Sequence, residues 1–361
     1  MSIKPGALRF NTDSMKLEIF RGSPNYEGSA SMAGIGTLAA GQWEEIVATS
    51  PEAQTGGARG LIGGGASPSI SGYDDINYIN IATTGNAQDF GTLTEARRNL
   101  GALASSTRGV WAGGAPASSP SPARTQVDYV TIASTGAAID FGANLGTGRR
   151  GISGCSNSTR GLFAGGFNDT SPSIFYNIID YITIQSTGSV LDFGDLTVER
   201  SSLGSCSSST RGVWGGGQNP GNLVDVDFVT ISTLGNAADF GDLLTAAFAV
   251  AASSNAIRGI FGGGSTPGTV NRIEYITIST LGTAVDFGDL TSTRGFVGSC
   301  SSSTRGVFTG GYGPASPSVT NTIDYVTIMS TGNAVDFGDM IDSNSGNKSQ
   351  NASCSNGHGG L

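Results

Sequence analysis

Arg305-Gly306-Val307-Phe308-Thr309-Gly310-Gly311, followed by Asp324-Tyr325-Val326-Thr327-Ile328, Ser330-Thr331-Gly332 and Asp336-Phe337-Gly338, is one copy of a pattern that the chain writes six times. The closing triplet begins at Asp89, Asp140, Asp192, Asp239, Asp286 and Asp336, at intervals of 51, 52, 47, 47 and 50 residues. A unit of this length is one supersecondary element that cannot bury its own apolar face, so the copies must pack side by side. Alternating apolar positions and β-branched residues mark four strands in the last copy, at residues 294–300, 306–310, 323–329 and 334–337. Ser301-Ser302-Ser303-Thr304 links the first two, and Ser330-Thr331-Gly332-Asn333 turns between the last two.

The first copy starts at a second strand, Arg59-Gly60-Leu61-Ile62-Gly63-Gly64. Its missing first strand reappears at the other end. Most copies carry an additional Arg eleven residues before the Arg-Gly arginine: Arg97 before Arg108, Arg149 before Arg160, Arg200 before Arg211 and Arg294 before Arg305. The tail places Lys348, Cys354 and Gly359 at the corresponding offsets. Pairing this tail with the first copy completes a sixth sheet and removes an open edge. The expected fold is therefore an all-β, six-bladed, kelch-like propeller over residues 51–361, closed by its C-terminal strand. Residues 243–252 (Leu-Leu-Thr-Ala-Ala-Phe-Ala-Val-Ala-Ala) favour a helix by propensity, yet align without gaps on residues 290–299. The repeat predicts that they form an inner strand.

Links between the second and third strands vary most: residues 66–74, 115–124, 167–176, 218–224, 265–271 and 312–321. Variable loops on a rigid scaffold are the usual seat of binding. The candidate binding residues are Tyr73, Arg124, Phe167, Phe175, Tyr176 and Tyr312, because aromatics can stack on sugar rings or anchor an interface. Groups that recur around the ring have a structural expectation instead. Arg108, Arg160, Arg211, Arg258 and Arg305 are expected to bridge to carboxylates between strands or blades. In Asp140, Asp192, Asp239, Asp286 and Asp336 the carboxylate is expected to accept turn amides or an Arg, while the following Phe packs between blades.

Charge and composition narrow the chemistry. The net charge is −9 and only 13% of residues are charged, so duplex nucleic acid is not an expected partner. No apolar stretch approaches the roughly 20 residues of a membrane span. Met1-Ser2-Ile3-Lys4-Pro5-Gly6 lacks the apolar core of a signal peptide. Cys155, Cys206 and Cys300 each lie five residues before a repeat Arg, where other copies have Leu103 and Ser253. A position that accepts Cys, Leu or Ser is a packing site, so free structural thiols are expected rather than disulfides or a metal centre. The single histidine, His358, leaves no room for a His-rich metal site or a Ser-His-Asp triad outside the tail. It is expected at the surface or at a strand end. The repeated Asp-Phe-Gly lacks the companion loops of a kinase. No metal, cofactor or enzymatic activity is expected.

Residues 1–50 do not repeat and are read as a separate β module. Ala7-Leu8-Arg9-Phe10 and Met15-Lys16-Leu17-Glu18-Ile19-Phe20 form a hairpin, a small-residue loop follows at 23–41, and Gln42-Trp43-Glu44-Glu45-Ile46-Val47 adds a third strand. Three short strands bury little alone, so the module is expected to need a partner or a second copy. The run from Gly6 to Ile46, with its Leu-Arg-Phe-Asn-Thr-Asp, Leu-Glu-Ile-Phe and Trp-x-x-Ile, resembles segments of structural and fibre proteins of tailed bacteriophages, cyanophages among them. The Ser/Thr/Gly-rich repeats are similar to kelch-like repeats of such virion proteins. The resemblance implies a non-enzymatic virion protein (tail, fibre or capsid-associated), made in the cytoplasm of a bacterial host and assembled with other virion proteins, as a homo-oligomer. It also implies anchoring through Phe10, Leu17, Ile19 and Trp43, and display of loops to a host-surface glycan. The competing expectation is a carbohydrate-active propeller enzyme. That reading needs two carboxylates roughly 5–10 Å apart, for which the acid-poor loops offer mainly Asp74 and Asp169.

Overall fold

The computed structural model describes the backbone of residues 8–11, 16–21 and 42–45, and residues 58–117, 122–170, 172–314, 318–341 and 347–361 with their side chains. The chain divides into two compact units, Met1–Ser50 and Pro51–Leu361. In the first unit, strands Leu8–Asn11, Lys16–Arg21 and Gln42–Glu45 form an antiparallel sheet in that order. Phe10 sits opposite Leu17, Leu8 opposite Ile19, and Phe20 opposite Trp43. The expected turn at 11–14 and loop at 23–41 lie outside the described residues, except Asn11.

The second unit is a β-propeller of six antiparallel blades, with no helix among the described residues. The last blade shows the plan: Gly298–Ser301 innermost, then Arg305–Thr309, Thr322–Thr327 and the outer Val335–Asp339. Counting from the first Arg-Gly, blades 1 to 6 have their second strands at Arg59–Gly63, Arg108–Ala112, Arg160–Ala164, Arg211–Gly215, Arg258–Gly262 and Arg305–Thr309. Closure follows the expected offset. Ala352–Ser355 pairs with Arg59–Gly63, Cys354 opposite Leu61 and Ser355 opposite Gly60. Residues 243–252 contain no helix, but only Ala251 and Ala252 belong to a strand, Ala251–Ser254. The inner strands are shorter than expected throughout. Arg294 precedes its strand, and Phe296 adopts a positive φ of 55° just before Gly298.

Burial is organised between blades rather than within them. One core joins Ile62, Ile79 and Ile81 of blade 1 to Val307, Ile323 and Phe337 of blade 6. Another joins Leu162, Ile179 and Phe193 of blade 3 to Trp214, Val229 and Ile231 of blade 4. The Asp-Phe-Gly triplet forms a bulge that turns its Phe into these seams: Ile323 faces Gly338 and Asp324 faces Asp336, leaving Phe337 between them. A side chain on Gly338 would run into the Gly85 carbonyl of the next blade, so this glycine serves close blade contact.

Two sets of arginines hold the ring, and only one matches the expectation of carboxylate bridges. The Arg-Gly arginines reach across each seam instead to a backbone carbonyl. Arg59, Arg108, Arg160, Arg211, Arg258 and Arg305 donate to Ile132, Ile184, Ile231, Ile278, Ile328 and Ile81 at 2.7–3.0 Å. Each guanidinium also lies 4.0–4.7 Å above an aromatic ring of its own third strand. The carboxylate pairs belong to the upstream arginines: Arg97 with Asp128, Arg149 with Asp180 at 2.7 Å, Arg200 with Asp227 at 2.8 Å, and Arg294 with Asp324. All four arginines are buried. Blade 1 substitutes Lys348 with Asp75, and blade 5, which has Ala247 at that place, pairs Arg272 with Glu274. Burial pushes the Arg149 guanidinium down and the Asp180 carboxyl up, so desolvation outweighs their attraction. Of the repeat aspartates, Asp140 and Asp239 accept the amides of Gly142 at 2.7 Å and Gly241 at 3.2 Å, as expected of turn acceptors. Asp192, Asp286 and Asp336 lie exposed on the outer strands.

Candidate functional site

The up-down order of the strands gives the disc two faces. Tight turns occupy one; the variable loops and the links between blades occupy the other, the loop face. Around the axis on the loop face, each amide donates to the carbonyl of the preceding blade. Gly151 donates to Asn99, Ser202 to Gly151, Ala249 to Ser202, Phe296 to Ala249, Gln350 to Phe296 and Asn99 to Gln350, at 2.7–3.0 Å. These six residues, including five that are not glycine, all hold positive φ between 54° and 65°. Such strain persists only where the surroundings over-determine it, which here is a closed hydrogen-bonded rim.

Inside the rim the six inner strands enclose a cavity of about 110 Å³ lined by Asn99, Ser202, Gln350, Ser153, Ser205 and Ser299 among others, with no charged side chain. Deeper along the axis a ladder of serine hydroxyls passes from blade to blade. Ser156 donates to Ala104, Ser207 to Ser156, Ser254 to Ser207, Ser301 to Ser254 and Ser355 to Ser301, at 2.5–2.8 Å. Ala104 has no hydroxyl to complete the circle, and His358 occupies this gap. Its Nε2 lies 2.9 Å from the Ala104 carbonyl and 3.3 Å from the Ser156 hydroxyl, while Nδ1 accepts the Gly360 amide at 3.1 Å. An acceptor facing Nε2 and a donor facing Nδ1 fix the neutral Nε2–H tautomer, and burial pushes the imidazole below its ordinary pKa. His358 is thus half-buried rather than exposed, and it sits in the turn just past the end of the closing strand Ala352–Ser355.

The six loop candidates divide by environment. Tyr73 is buried, its hydroxyl donates to Ser67 at 3.0 Å, and the Lys348 ammonium lies 5.2 Å from its ring centre. Arg124 makes a two-pronged contact with Glu95, through Nε to Oε2 at 3.0 Å and Nη2 to Oε1 at 2.6 Å. The Tyr176 hydroxyl receives the Asn168 amide at 2.8 Å. Tyr312 is 47% exposed on the blade 6 loop. Phe167 and Phe175 do come together, stacked with centroids 5.7 Å apart and planes 25° from parallel.

That stack leads to two residues the repeat pattern obscured. The Arg150 guanidinium lies 4.5 Å over Phe167 and pairs with Asp169. Arg98 stands one residue before Asn99, as Arg150 stands one before Gly151, and Asn99 and Gly151 are hydrogen-bonded at 2.8 Å. The two arginines are therefore neighbours on the rim. Arg98 spends a donor on the Ser71 carbonyl at 2.5 Å. The pKa of its guanidinium is lowered by burial and by the charge of Arg150, against the opposing charge of Asp169. The available signal was a doublet: Arg97-Arg98 and Arg149-Arg150 break the register where other blades have Ser201, Phe248, Gly295 and Ser349. Of the two loop acids, Asp74 is exposed and Asp169 is engaged by Arg150. Among the described residues no three acids, thiols or imidazoles gather as a metal cluster would. No family model matches the chain, and a search of curated proteins gives no match.

Proposed function

We propose that this chain is a non-enzymatic structural protein of a tailed-bacteriophage particle, whose N-terminal module attaches to other virion proteins and whose propeller presents its loop face to a host-surface glycan. One observation carries the reading. Residues that recur around the ring are spent on seams, whereas the side chains that break the repeat, Arg98, Arg150, Asp169, Phe167 and Phe175, collect on the loop face of adjacent blades. The resemblance of residues 6–46 and of the repeats to virion proteins supports the particle as the setting. Engagement of Asp169 by Arg150 weighs against a free catalytic carboxylate pair. Mass spectrometry of purified particles, together with blocking of host adsorption by the purified protein, tests the assignment. Peptides of this chain in the particle and slowed adsorption are expected; its absence from particles would overturn the proposal.

A further inference from the structure

Two cations and one anion share the rim between blades 2 and 3. Arg98 and Arg150 flank the Asn99–Gly151 hydrogen bond, and Asp169 forms its ion pair with Arg150 while its charge also reaches Arg98. Arg98 has a carbonyl, not a carboxylate, as its hydrogen-bond partner. The excess positive charge is local, because the chain as a whole carries −9. Beside it stands a column of Arg150, Phe167 and Phe175, ended by the half-buried Phe175. Paired guanidinium groups hold planar oxyanions through parallel N–H donors, and aromatic faces take the C–H face of a sugar ring.

We propose that this corner of the loop face binds an acidic saccharide, its oxyanion between Arg98 and Arg150 and its ring against the Phe167–Phe175 column. The inference deepens the glycan-display reading and rests on it for biological setting, though not for chemistry. A carboxylate and a sulfate ester each offer the pair of acceptor oxygens that two guanidinium groups can hold. The seat on Asp169 is not a barrier, since Arg98 is hydrogen-bonded to a carbonyl rather than a carboxylate and Arg150 retains further N–H donors.

Calorimetric titration of the full chain with tri-galacturonate, a sulfated galactotriose and neutral galactotriose tests this. The expected result is binding of at least one acidic trisaccharide, tenfold or more tighter than the neutral one and weakening as salt rises from 50 to 300 mM. Preference between the two acidic ligands identifies the oxyanion. Arg98→Gln, Arg150→Gln and Phe175→Ala should each weaken binding at least fivefold. Arg272→Gln, on blade 5 and away from the corner, should leave it unchanged. Equal affinity for the neutral sugar, no binding of any of the three, or titrations of Arg98→Gln and Phe175→Ala that match the wild type would each overturn the inference. Unchanged thermal melting of the variants guards against misfolding. Absence from particles would remove the proposed function and leave an acidic-sugar result standing, so the two failures are distinguishable.

Discussion

Cys300 Sγ of blade 6 stands 2.6 Å from where a Cβ on Gly60 of blade 1 would lie. The relationship repeats at Cys354 over Gly109, Leu103 over Gly161, Cys155 over Gly212, Cys206 over Gly259 and Ser253 over Gly306. Each Arg-Gly glycine is small because the inner strand of the preceding blade fills the space above it. This explains why that inner position tolerates Cys, Leu and Ser while the glycine is constant within the chain.

Gly60→Ala should therefore destabilise the propeller by about 1–3 kcal/mol, the usual cost of forcing a methyl into a filled core. Cys300→Ala alone removes a sulfur and costs about 1 kcal/mol. If the two atoms compete for one space, the double variant is more stable than the sum of its parts predicts, by about 1 kcal/mol. Urea unfolding of the four proteins measures this. Strict additivity would show that the seam relaxes elsewhere.

The period, the offset closure and the identity of the seams were legible because they are repeated, and each copy corrects the others. What is not repeated was harder to place. His358 has no aligned counterpart in another blade, so nothing in the sequence shows that Ala104 leaves a gap in the serine ladder for it. Arg98 and Arg150 were hidden behind Arg97 and Arg149, whose periodicity drew the pattern one residue upstream. Strand starts slipped for a different reason: the positive φ at Phe296 and Ala249 is imposed by the hydrogen-bonded rim, and local preference for these residues gives no sign of it.

The four cysteines are free and buried. Burial pushes the Cys206 and Cys300 thiols up to about 12, and Cys155 and Cys354 also well upward. The native protein should thus show almost no thiol titration with Ellman's reagent at pH 8, and four thiols per chain once denatured. Prompt labelling of even one thiol in the folded protein would contradict the seam packing.

Arg294 and Asp324 test the buried pairs. Asp324→Ala strips Arg294 of its carboxylate and also frees the Thr291 hydroxyl and amide, which bind Asp324 at 2.8 Å and 3.1 Å. Removing one member of a buried pair costs about 3–5 kcal/mol. Arg294→Met combined with Asp324→Leu should recover much of that loss, since both charges leave together. Thermal melting of the single and double variants decides; a double variant as unstable as Asp324→Ala would mean that the carbonyl bonds of Arg294, not its charge, hold the blade.

His358 makes stability depend on pH in a defined direction. Its folded pKa lies below the ordinary 6.5, so the unfolded chain binds a proton that the folded chain resists. Above about pH 6.5 neither state is charged and the residue contributes nothing to the slope. As pH falls below that value, stability declines by up to about 1.4 kcal/mol per pH unit until the folded ring also titrates. A proton on Nδ1 would displace the Gly360 amide, which is the structural origin of the resistance. Because this is the only histidine, subtracting the profile of His358→Gln isolates it from the carboxylates. Melting temperatures between pH 7.5 and 5.0 should fall more steeply for the wild type than for the variant, and parallel profiles would place the imidazole in solvent rather than in the channel.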